Sequence, residues 1–387
     1  MKIVYCIVDC SLSGGTERVV CSKANYLANK LRYDVTIITT DQYDRPNFYL
    51  FSNKIRFIDI GINYNELHSY PFFERIIVQM KKRKKHRQKL SEILTKIKAD
   101  IVVSTYTHEF TLLPSIKDGS RKIGEIHFSK EYNRIENKYK KQSFLSKVAS
   151  LLAEKRKHLF IRRYDKFVAL TREDLKNWRN LPNITQIYNP LPFYIDSSST
   201  LERKRIISIG RLSLQKSFDR LIEAFCLVHA EFPDWQLDIF GTGEKEKQLR
   251  SLIKNYGLEN VIKINRPTQD IIKEYLESSI YVMTSLYEGF GLALTEAMSC
   301  GVPCISFDCP SGPSEIINDG ENGFLVEDGN ITQLSKKIKI LIHNSELRKE
   351  MGKKAKKDVL RFSPDTIMNE WINLFNELIK NENPPNQ

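Results

Sequence analysis

Residues 285–306 read SLYEGFGLALTEAMSCGVPCIS, and this stretch decides the fold of the second half of the chain. It follows a short apolar run, turns at Gly289 and Gly291, and enters a helical pattern near Leu292. The sequence GVP at residues 301–303 ends that helix and begins another apolar run. We therefore predict a buried strand, a glycine-rich turn, a helix and a second buried strand.

Short apolar runs rich in Ile and Val alternate with helical patterns through the rest of the chain. In the first half we predict strands at residues 2–8, 35–39, 55–58, 101–104, 123–126 and 167–170. The helices between them include residues 17–29, 73–97 and 144–163. Such alternation is typical of a parallel sheet with helices on both faces.

A linker interrupts the alternation at residues 187–200, IYNPLPFYIDSSST, where two prolines precede a Ser/Thr run. A second alternation follows, with strands predicted at residues 205–209, 236–240, 261–264, 280–284 and 303–307. Its helices are predicted at residues 217–230, 244–256 and 291–299. A last amphipathic helix covers residues 364–379, where Trp371 and Phe375 share one face.

The sequence thus predicts two tandem, Rossmann-like, doubly wound α/β domains that face a central cleft. We expect the first domain at residues 1–188 and the second at residues 189–363. The C-terminal helix and tail, residues 364–387, are expected to cross back to the first domain. In doubly wound sheets the carboxyl ends of the strands converge on a ligand, so we expect the site in the cleft.

Composition restricts the class of protein. The chain is 41% hydrophobic and 28% charged and has no apolar run long enough for a transmembrane helix. It begins MKIVYCIVD with no cleavage site after it, which predicts a buried strand rather than a signal peptide. Seven scattered cysteines without a CxxC pair indicate buried thiols and a reducing cytoplasm, not a disulfide framework or a zinc site.

A net charge of +13 favours nucleic acid, an anionic membrane surface or phosphorylated substrates as partners. Residues 81–89, KKRKKHRQK, concentrate seven cations on a predicted helix. An apolar group of side chains lies just ahead of them: Phe72, Phe73, Ile76, Ile77 and Met80. Basic and apolar groups side by side predict peripheral binding to anionic lipid, with a merely solvated helix as the alternative. No nucleic-acid-binding motif accompanies the charge, so nucleic acid is not expected.

The quoted segment also carries candidate ligand-binding groups. Free N–H groups at the helix start near Leu292, together with the positive end of the helix dipole, suit a phosphate. Glu288 in the turn can project into the cleft, and Glu296 is an acceptor suited to the paired hydroxyls of a ribose. A structural turn with solvated glutamates is the alternative reading of this segment alone.

A second motif lies in residues 208–225, SIGRLSLQKSFDRLIEAF. A strand ends there at Gly210, and Arg211 and Lys216 follow in the loop ahead of a helix. Two cations in that position can neutralise a diphosphate. Taken alone, Arg211 and Lys216 would be better explained as members of surface salt bridges. Together with the Glu288 segment, they favour one ligand site to which both segments contribute.

The first loop reads DCSLSGGTERVV, and Gly14 and Gly15 in it permit close approach of the backbone to a ligand. A purely structural turn is the alternative. The loop lacks the GxGxxG pattern, which argues against a nicotinamide-dependent oxidoreductase. His127, in GEIHFSKEY at the end of a predicted strand, is the first-domain candidate for a ligand contact. His108, in STYTHEF, is its rival.

In combination these motifs resemble the retaining glycosyltransferases of family 4, which have the GT-B fold. The resemblance rests on Glu288 and Glu296 as an E-x7-E pattern, on the Gly-Arg-Leu…Lys loop and on the N-terminal Gly-Gly. Residues 308–326, DCPSGPSEIINDGENGFLV, are similar to bacterial polysaccharide and lipid-linked oligosaccharide members. The resemblance covers residues 205–326 nearly continuously but the first domain only in its order of elements and its Gly-Gly loop.

The resemblance implies four catalytic candidates. Arg211 and Lys216 would bind the diphosphate and stabilise its charge, Glu288 would contact hydroxyls of the donor sugar, and His127 would reach that sugar from the acceptor side. Glu296 would hold the ribose. Further donor contacts are implied at Gly14, Gly15, Gly210, Gly241, Gly243, Arg266, Pro267, Phe290, Gly291 and Leu292. Phe follows His127 where the family often has an acid or a small polar residue, so the chain departs from the family's pattern at this position.

The resemblance implies retaining, metal-independent transfer of a hexose or N-acetylhexosamine from a nucleotide-sugar, with UDP expected and GDP as the alternative. The acceptor would be a lipid-linked saccharide or polysaccharide at the cytoplasmic face of the cell membrane, as in capsule or lipopolysaccharide synthesis. The nucleotide-sugar is a co-substrate, and no cofactor or metal is expected, since no DxD-type cluster lies in a suitable loop. An epimerase or phosphorylase of the same fold and a non-catalytic nucleotide-sugar-binding subunit stay open as alternatives.

Overall fold

A computed structural model describes residues 1–139, 158–178 and 181–380. A parallel sheet forms the centre of the first domain. Its strands are β1 Lys2–Ile7, β2 Asp34–Thr39, β3 Arg56–Asp59, β4 Ile101–Ser104, β5 Arg121–Glu125, β6 Lys166–Ala169 and β7 Ile184–Gln186. The order across the sheet is β3-β2-β1-β4-β5-β6-β7. The strand order therefore reverses between β1 and β4.

Helices cover this sheet, and β1, β2 and β4 are buried at nearly every position, as expected for strands covered on both faces. The helices are α1 Gly15–Asn29, α2 Phe72–Ile97, α3 Tyr132–Tyr139 and α4 Arg172–Asn177. Short 3-10 turns lie at Tyr64–Ser69 and Leu113–Ser115. Of the helix predicted at residues 144–163, residues 144–157 lie outside the described residues, and residues 158–161 are helical.

The second domain repeats the arrangement around another parallel sheet. Its strands are β8 Arg205–Ile209, β9 Gln236–Phe240, β10 Ile262–Asn265, β11 Ile280–Met283, β12 Cys304–Phe307 and β13 Gly323–Val326, in the order β10-β9-β8-β11-β12-β13. The helices are α5 Phe218–His229, α6 Glu246–Asn255, α7 Ile271–Leu276, α8 Leu292–Ser299, α9 Pro313–Ile316, α10 Ile331–His343 and α11 Ser345–Asp358. Here the strand order reverses between β8 and β11.

A C-terminal helix, α12 Pro364–Lys380, follows a 3-10 turn at Val359–Phe362 and packs against the first domain. The Tyr26 hydroxyl donates to an oxygen of Asp365 at 2.7 Å, and Lys166 Nζ lies 3.1 Å from an oxygen of Glu377. The Trp371 ring is buried beneath the Lys23 ammonium of α1. The last helix is therefore bound to the domain opposite the one that precedes it in the chain.

The predicted fold class, two tandem doubly wound α/β domains, is confirmed. Two strands were not predicted: β7, which has only three residues, all half-buried, and β13, a mostly buried strand of four residues that begins at a glycine. Strand β5 begins at Arg121, ahead of the apolar run that marked it. The polar Lys122 is tolerated inside this strand because its ammonium is paired with Asp118.

All seven cysteines are free thiols, and all but Cys226 are buried. Among the described residues, no group of three or more His, Cys, Asp or Glu side chains is arranged to hold a metal ion. None of the helices in the described ranges has the length and hydropathy needed to cross a bilayer.

Candidate functional site

A cavity of about 430 Å³ lies between the carboxyl ends of the two sheets. The loops after β1, β8 and β11 form much of its wall, so the cavity lies where both strand orders reverse. Ligands of doubly wound folds bind at such positions. The predicted site residues that line it are Gly14, Gly15, His127, Gly210, Arg211, Lys216, Gly241, Pro267, Glu288, Phe290, Gly291, Leu292 and Glu296.

Two predicted donor-binding residues are not among the described residues that line the cavity. Gly243 packs against backbone atoms of Leu212, which leave no space for a Cβ, so this glycine supports the loop. Arg266 is exposed. The rival histidine, His108, stacks on Tyr64 with ring centroids 4.0 Å apart and does not line the cavity either.

Lys216 and Glu288 form an ion pair on the cavity wall. Lys216 Nζ lies 2.5 Å from Glu288 Oε1, and the Ser285 hydroxyl donates to the same oxygen at 2.5 Å. A Cβ on Gly210 would lie 3.0 Å from Lys216 Cε, so the glycine lets the lysine side chain lie across the end of β8. The two strongest sequence candidates of the second domain are therefore in direct contact.

The loops that carry this pair are joined through their backbones. The Leu286 N–H donates to the Gln215 carbonyl at 2.8 Å, and the Gln215 side chain donates to the Tyr287 carbonyl at 3.1 Å. Helix α3 of the first domain packs on the same loops: Ile135 contacts the apolar cluster of Leu286 and Tyr287, and Glu136 accepts a hydrogen bond from the Tyr287 hydroxyl at 2.5 Å. The position of the second-domain loops thus depends on the first domain.

Positive groups converge on the cavity from both domains. Helix α1 begins at Gly15 and α8 at Leu292, and both starts line the cavity. Arg211 is exposed beside them, and in the described part of the chain no carboxylate lies within ion-pair distance of its guanidinium. Two helix starts, an unpaired arginine and a lysine together form a site suited to an anion.

Glu296 is held by two residues that the sequence did not indicate. Arg18 Nε, from α1 of the first domain, lies 2.8 Å from Glu296 Oε1, and the Tyr275 hydroxyl donates to Oε2 at 3.0 Å. Burial raises the pKa of Glu296, while Arg18 and Tyr275 act in the opposite direction. Arg18 lies in the first turn of α1, directly after Gly14 and Gly15. This position is the one sequence feature that could have suggested Arg18 as a site residue.

His127 contacts the second domain directly. Its side chain is 5% exposed on the cavity wall, and its Nε2 lies 3.6 Å from Oε1 of Glu125. Within the described residues no hydrogen bond reaches Nε2. A Cβ on Gly289 would overlap the His127 carbonyl oxygen, so glycine is required where the two domains meet beside Glu288.

Asn189 is a further cavity residue that sequence reasoning missed. Its Oδ1 atom is buried and has no hydrogen-bond partner among the residues that the structure describes. Buried polar atoms without partners are uncommon in folded proteins, and such an atom on a cavity wall is available to a ligand. The residue escaped notice because it lies in the proline-rich linker, which carried no chemical motif.

The segment 308–326 connects the domains. Glu315 accepts the backbone N–H groups of Arg172 and Glu173 at 3.0 and 2.8 Å, at the start of α4 in the first domain. Glu173 in turn accepts the backbone N–H of Ser311 at 2.8 Å. Each carboxylate therefore satisfies free N–H groups of the opposite domain, which fixes the cleft geometry.

Known proteins resemble both the sequence and the fold. Residues 195–358 match the family model "Glycosyl transferases group 1". An uncharacterized glycosyltransferase of Haemophilus influenzae is 31% identical over 376 residues, which cover 96% of this chain and 98% of the relative. The amylovoran biosynthesis glycosyltransferase AmsD of Erwinia amylovora is 34% identical over 223 residues, which cover 55% of this chain and 62% of the relative.

A solved structure has the same fold. A variant of S. aureus TarM, crystallised with fondaparinux, alpha-GlcNAc-glycerol and UDP, matches with a TM-score of 0.80. The match covers 97% of this chain and 99% of that chain at 17% sequence identity. At that level of identity the likeness concerns the fold.

Replacing Glu17 by glutamine is predicted to remove a pH dependence of stability. Glu17 lies over Gly14 beside the cavity, and burial above all, with Asp9 adding to it, raises its pKa from 4.5 to about 7 despite the nearby Arg211. Between those values the folded protein binds more protons than the unfolded chain, so stability falls as the pH rises.

Thermal unfolding of the wild type and Glu17→Gln from about pH 5 to about pH 8 measures this effect. We expect the melting temperature of the wild type to fall relative to that of the variant across this range. Glu346→Gln, an exposed glutamate in the first turn of α11, is the control and should follow the wild type. A constant difference between wild type and Glu17→Gln at all pH values would contradict the assignment.

Proposed function

Because the chain belongs to the group 1 glycosyltransferases and has the GT-B fold, we propose that it transfers a hexose or N-acetylhexosamine from a UDP-sugar to a saccharide acceptor with retention of anomeric configuration. The TarM complex contains UDP and alpha-GlcNAc-glycerol, which supports UDP as the nucleotide and an α-linked product. AmsD acts in amylovoran biosynthesis, which supports a role in polysaccharide synthesis.

The observation that carries this proposal is the convergence of positive groups on one cavity. Arg211, Lys216 and the starts of α1 and α8 line it together. Breaking a bond to UDP leaves additional negative charge on the diphosphate, and fixed positive groups stabilise that charge without reorganisation. Glu288 lies beside Lys216, and we propose that its carboxylate accepts hydrogen bonds from hydroxyls of the sugar.

In the proposed reaction, the bond between the anomeric carbon and the β-phosphate oxygen breaks. The acceptor hydroxyl oxygen then bonds to the anomeric carbon from the face that UDP leaves, and the hydroxyl proton passes to the departing phosphate oxygen. Arg211 and Lys216 stabilise the diphosphate, and His127 contacts the sugar from the first domain. We propose that these cations take the part that a metal ion plays in other transferases.

We further propose that the acceptor is lipid-linked and is met at the cytoplasmic face of the membrane. The support is the α2 surface, defined here as the exposed apolar residues Phe73, Ile76, Ile77 and Met80 with the exposed cations Lys81, Lys84, Lys85 and Arg87. Ile77 is 57% and Met80 68% exposed, and the cations begin immediately after them. Apolar side chains next to exposed cations match the acyl boundary and headgroups of an anionic lipid layer.

The remaining cations of the basic run are bound to their own domain. Lys82 Nζ donates to the Ile62 carbonyl at 2.6 Å, and Lys89 Nζ donates to the Ile60 carbonyl at 2.7 Å. Arg83 donates to the Thr111 hydroxyl at 2.8 Å. These three residues hold α2 on the domain, and the four exposed cations remain for a partner.

Lys216→Ala and Glu288→Ala are each predicted to lower transfer about 100-fold. The first removes a positive charge that stabilises the departing diphosphate, and the second removes both the proposed acceptor for sugar hydroxyls and the ion-pair partner of Lys216. Release of nucleotide from a panel of UDP- and GDP-sugars, with membrane extract as the source of acceptor, measures the effect. Lys353→Ala, an exposed lysine of α11, is the control. Undiminished activity in both site variants would exclude this site.

Replacing the four exposed cations of the α2 surface by glutamate is predicted to abolish binding to vesicles that contain phosphatidylglycerol. Neither the wild type nor this variant should bind strongly to phosphatidylcholine vesicles, because the attraction is to anionic headgroups. A matched variant changes four exposed lysines of the second domain to glutamate: Lys336, Lys353, Lys354 and Lys357. Equal binding by the two quadruple variants in co-sedimentation would show that only net charge matters.

A further inference from the structure

A buried ion pair lies directly behind His127. Lys23 Nζ, on the inner face of α1, is 2.8 Å from Oε1 and 2.6 Å from Oε2 of Glu125, the last residue of β5. The two side chains are 0% and 1% exposed. His127 Nε2 lies 3.6 Å from the same Oε1 atom. The carboxylate thus stands between an ammonium group and the imidazole on the cavity wall.

Stability alone does not account for this pair. Removing two charges from water costs several kcal/mol for each ion, and apolar residues of similar volume often replace such pairs without loss of stability. The surroundings are otherwise those of the core, since Tyr5 and Trp371 beside Lys23 are buried completely. A second role, connected with the neighbouring cavity, would explain why charges occupy this position.

Each member of the pair stabilises the charged form of the other. Burial by itself raises the pKa of the Glu125 carboxyl, but Lys23 and then His127 lower it to well below its usual range. Burial lowers the pKa of Lys23, and Glu125 opposes that change. The Trp371 ring, whose centroid is 3.4 Å from Lys23 Nζ, adds a cation–π contact. The pair is therefore fixed in place and carries no net charge.

We propose that Lys23 and Glu125 are positioning residues for His127: the carboxylate holds the imidazole at the cavity wall, and the ammonium cancels the charge that would otherwise draw a proton onto it. The imidazole then meets the sugar in its neutral form, able both to donate and to accept a hydrogen bond. This inference rests on the proposed function, in which His127 contacts the donor sugar.

Of the charged groups that line the cavity with His127 in the described part of the chain, all but the exposed Arg211 are paired. Across the cavity, Lys216 pairs with Glu288 and Arg18 pairs with Glu296. Tyr5 of β1 faces Lys23, with its ring centroid 5.5 Å from Nζ. Removing the Lys23 charge therefore leaves the Glu125 carboxylate uncompensated, and His127 is the group closest to it that can take up a proton.

The experiment compares Lys23→Met, Glu125→Gln and the double variant in full-length protein labelled with ¹⁵N-histidine. The ring signals of His127, assigned with His127→Gln, are followed by NMR as a function of pH. We expect Lys23→Met to shift the titration of His127 upward by about one pH unit or more and Glu125→Gln to shift it downward. The double variant should return it close to that of the wild type. Identical titrations in all four proteins would overturn the proposal.

Transfer kinetics supply the second readout. In Lys23→Met the acid limb of the kcat/KM profile should move to higher pH, and in the double variant it should return to its wild-type position. Near neutral pH the double variant should therefore transfer about tenfold faster than Lys23→Met. If the ion pair were purely structural, Lys23→Met would lower the melting temperature and reduce kcat/KM by the same factor at every pH, without moving the acid limb. That result would also overturn the proposal. If one of the single variants does not fold, Glu125→Asp is used in its place. The shorter aspartate keeps the ion pair with Lys23 but moves the carboxylate away from His127. Unchanged kcat and KM in Glu125→Asp would contradict the inference.

The two proposals fail in different ways. If the NMR shifts occur as expected but the wild type transfers no sugar from any nucleotide-sugar, the proposed function is wrong and the ionic support of His127 stands. If transfer occurs and neither the titrations nor the pH profiles move, the positioning role is wrong and the proposed function stands.

Discussion

The contact between Lys216 Nζ and Glu288 Oε1, at 2.5 Å, joins the loops on which the rest of the site depends. One loop follows β8 and the other follows β11, the two strands between which the order of the second sheet reverses. Loops point in opposite directions where the strand order reverses, so a ligand can contact both loops only if an interaction holds them close together. The pair is only 19% and 8% exposed, and for that reason solvent weakens it less than a surface ion pair. The ion pair thus holds Lys216 on the cavity wall.

The first domain completes the site. It contributes the start of α1, the Arg18 contact to Glu296 and the backbone of His127 against Gly289. Carboxylates of each domain also accept N–H groups of the other near the segment 308–326. A diphosphate in the cavity would therefore touch both domains. A ligand that contacts both domains stabilises the arrangement in which they meet.

The sequence predicted the architecture well because local patterns determine it. Alternation of buried strands and helices, with glycine at the turns, was visible in residues 205–307, and the strands there agree with the structure to within two residues. Arg211, Lys216, Glu288 and Glu296 were found because they sit next to those turns. Their roles in catalysis stay predictions, as do the domain boundaries at residues 188 and 363.

What the sequence did not predict depends on contacts between distant residues. Lys23 and Glu125 are separated by 102 positions, and nothing near either residue suggests a partner. A lysine on the inner face of α1 even conflicts with the apolar pattern of that helix. Asn189 lies in a linker without a chemical motif, so it was not predicted as a cavity residue. Gly243 was predicted to contact the donor, but a glycine is needed there because the backbone of Leu212 leaves no space for a Cβ. Such features become visible only when the chain is folded.

We propose above all that the cavity binds the diphosphate of a nucleotide through Arg211 and Lys216. Calorimetric titration of the wild type and of Lys216→Met with UDP and with uridine tests it most directly. We expect the wild type to bind UDP at least about 100-fold more tightly than uridine, which corresponds to about 2.7 kcal/mol, and the variant to lose most of this preference. Equal affinity of the wild type for UDP and uridine, or an undiminished preference in Lys216→Met, would contradict it.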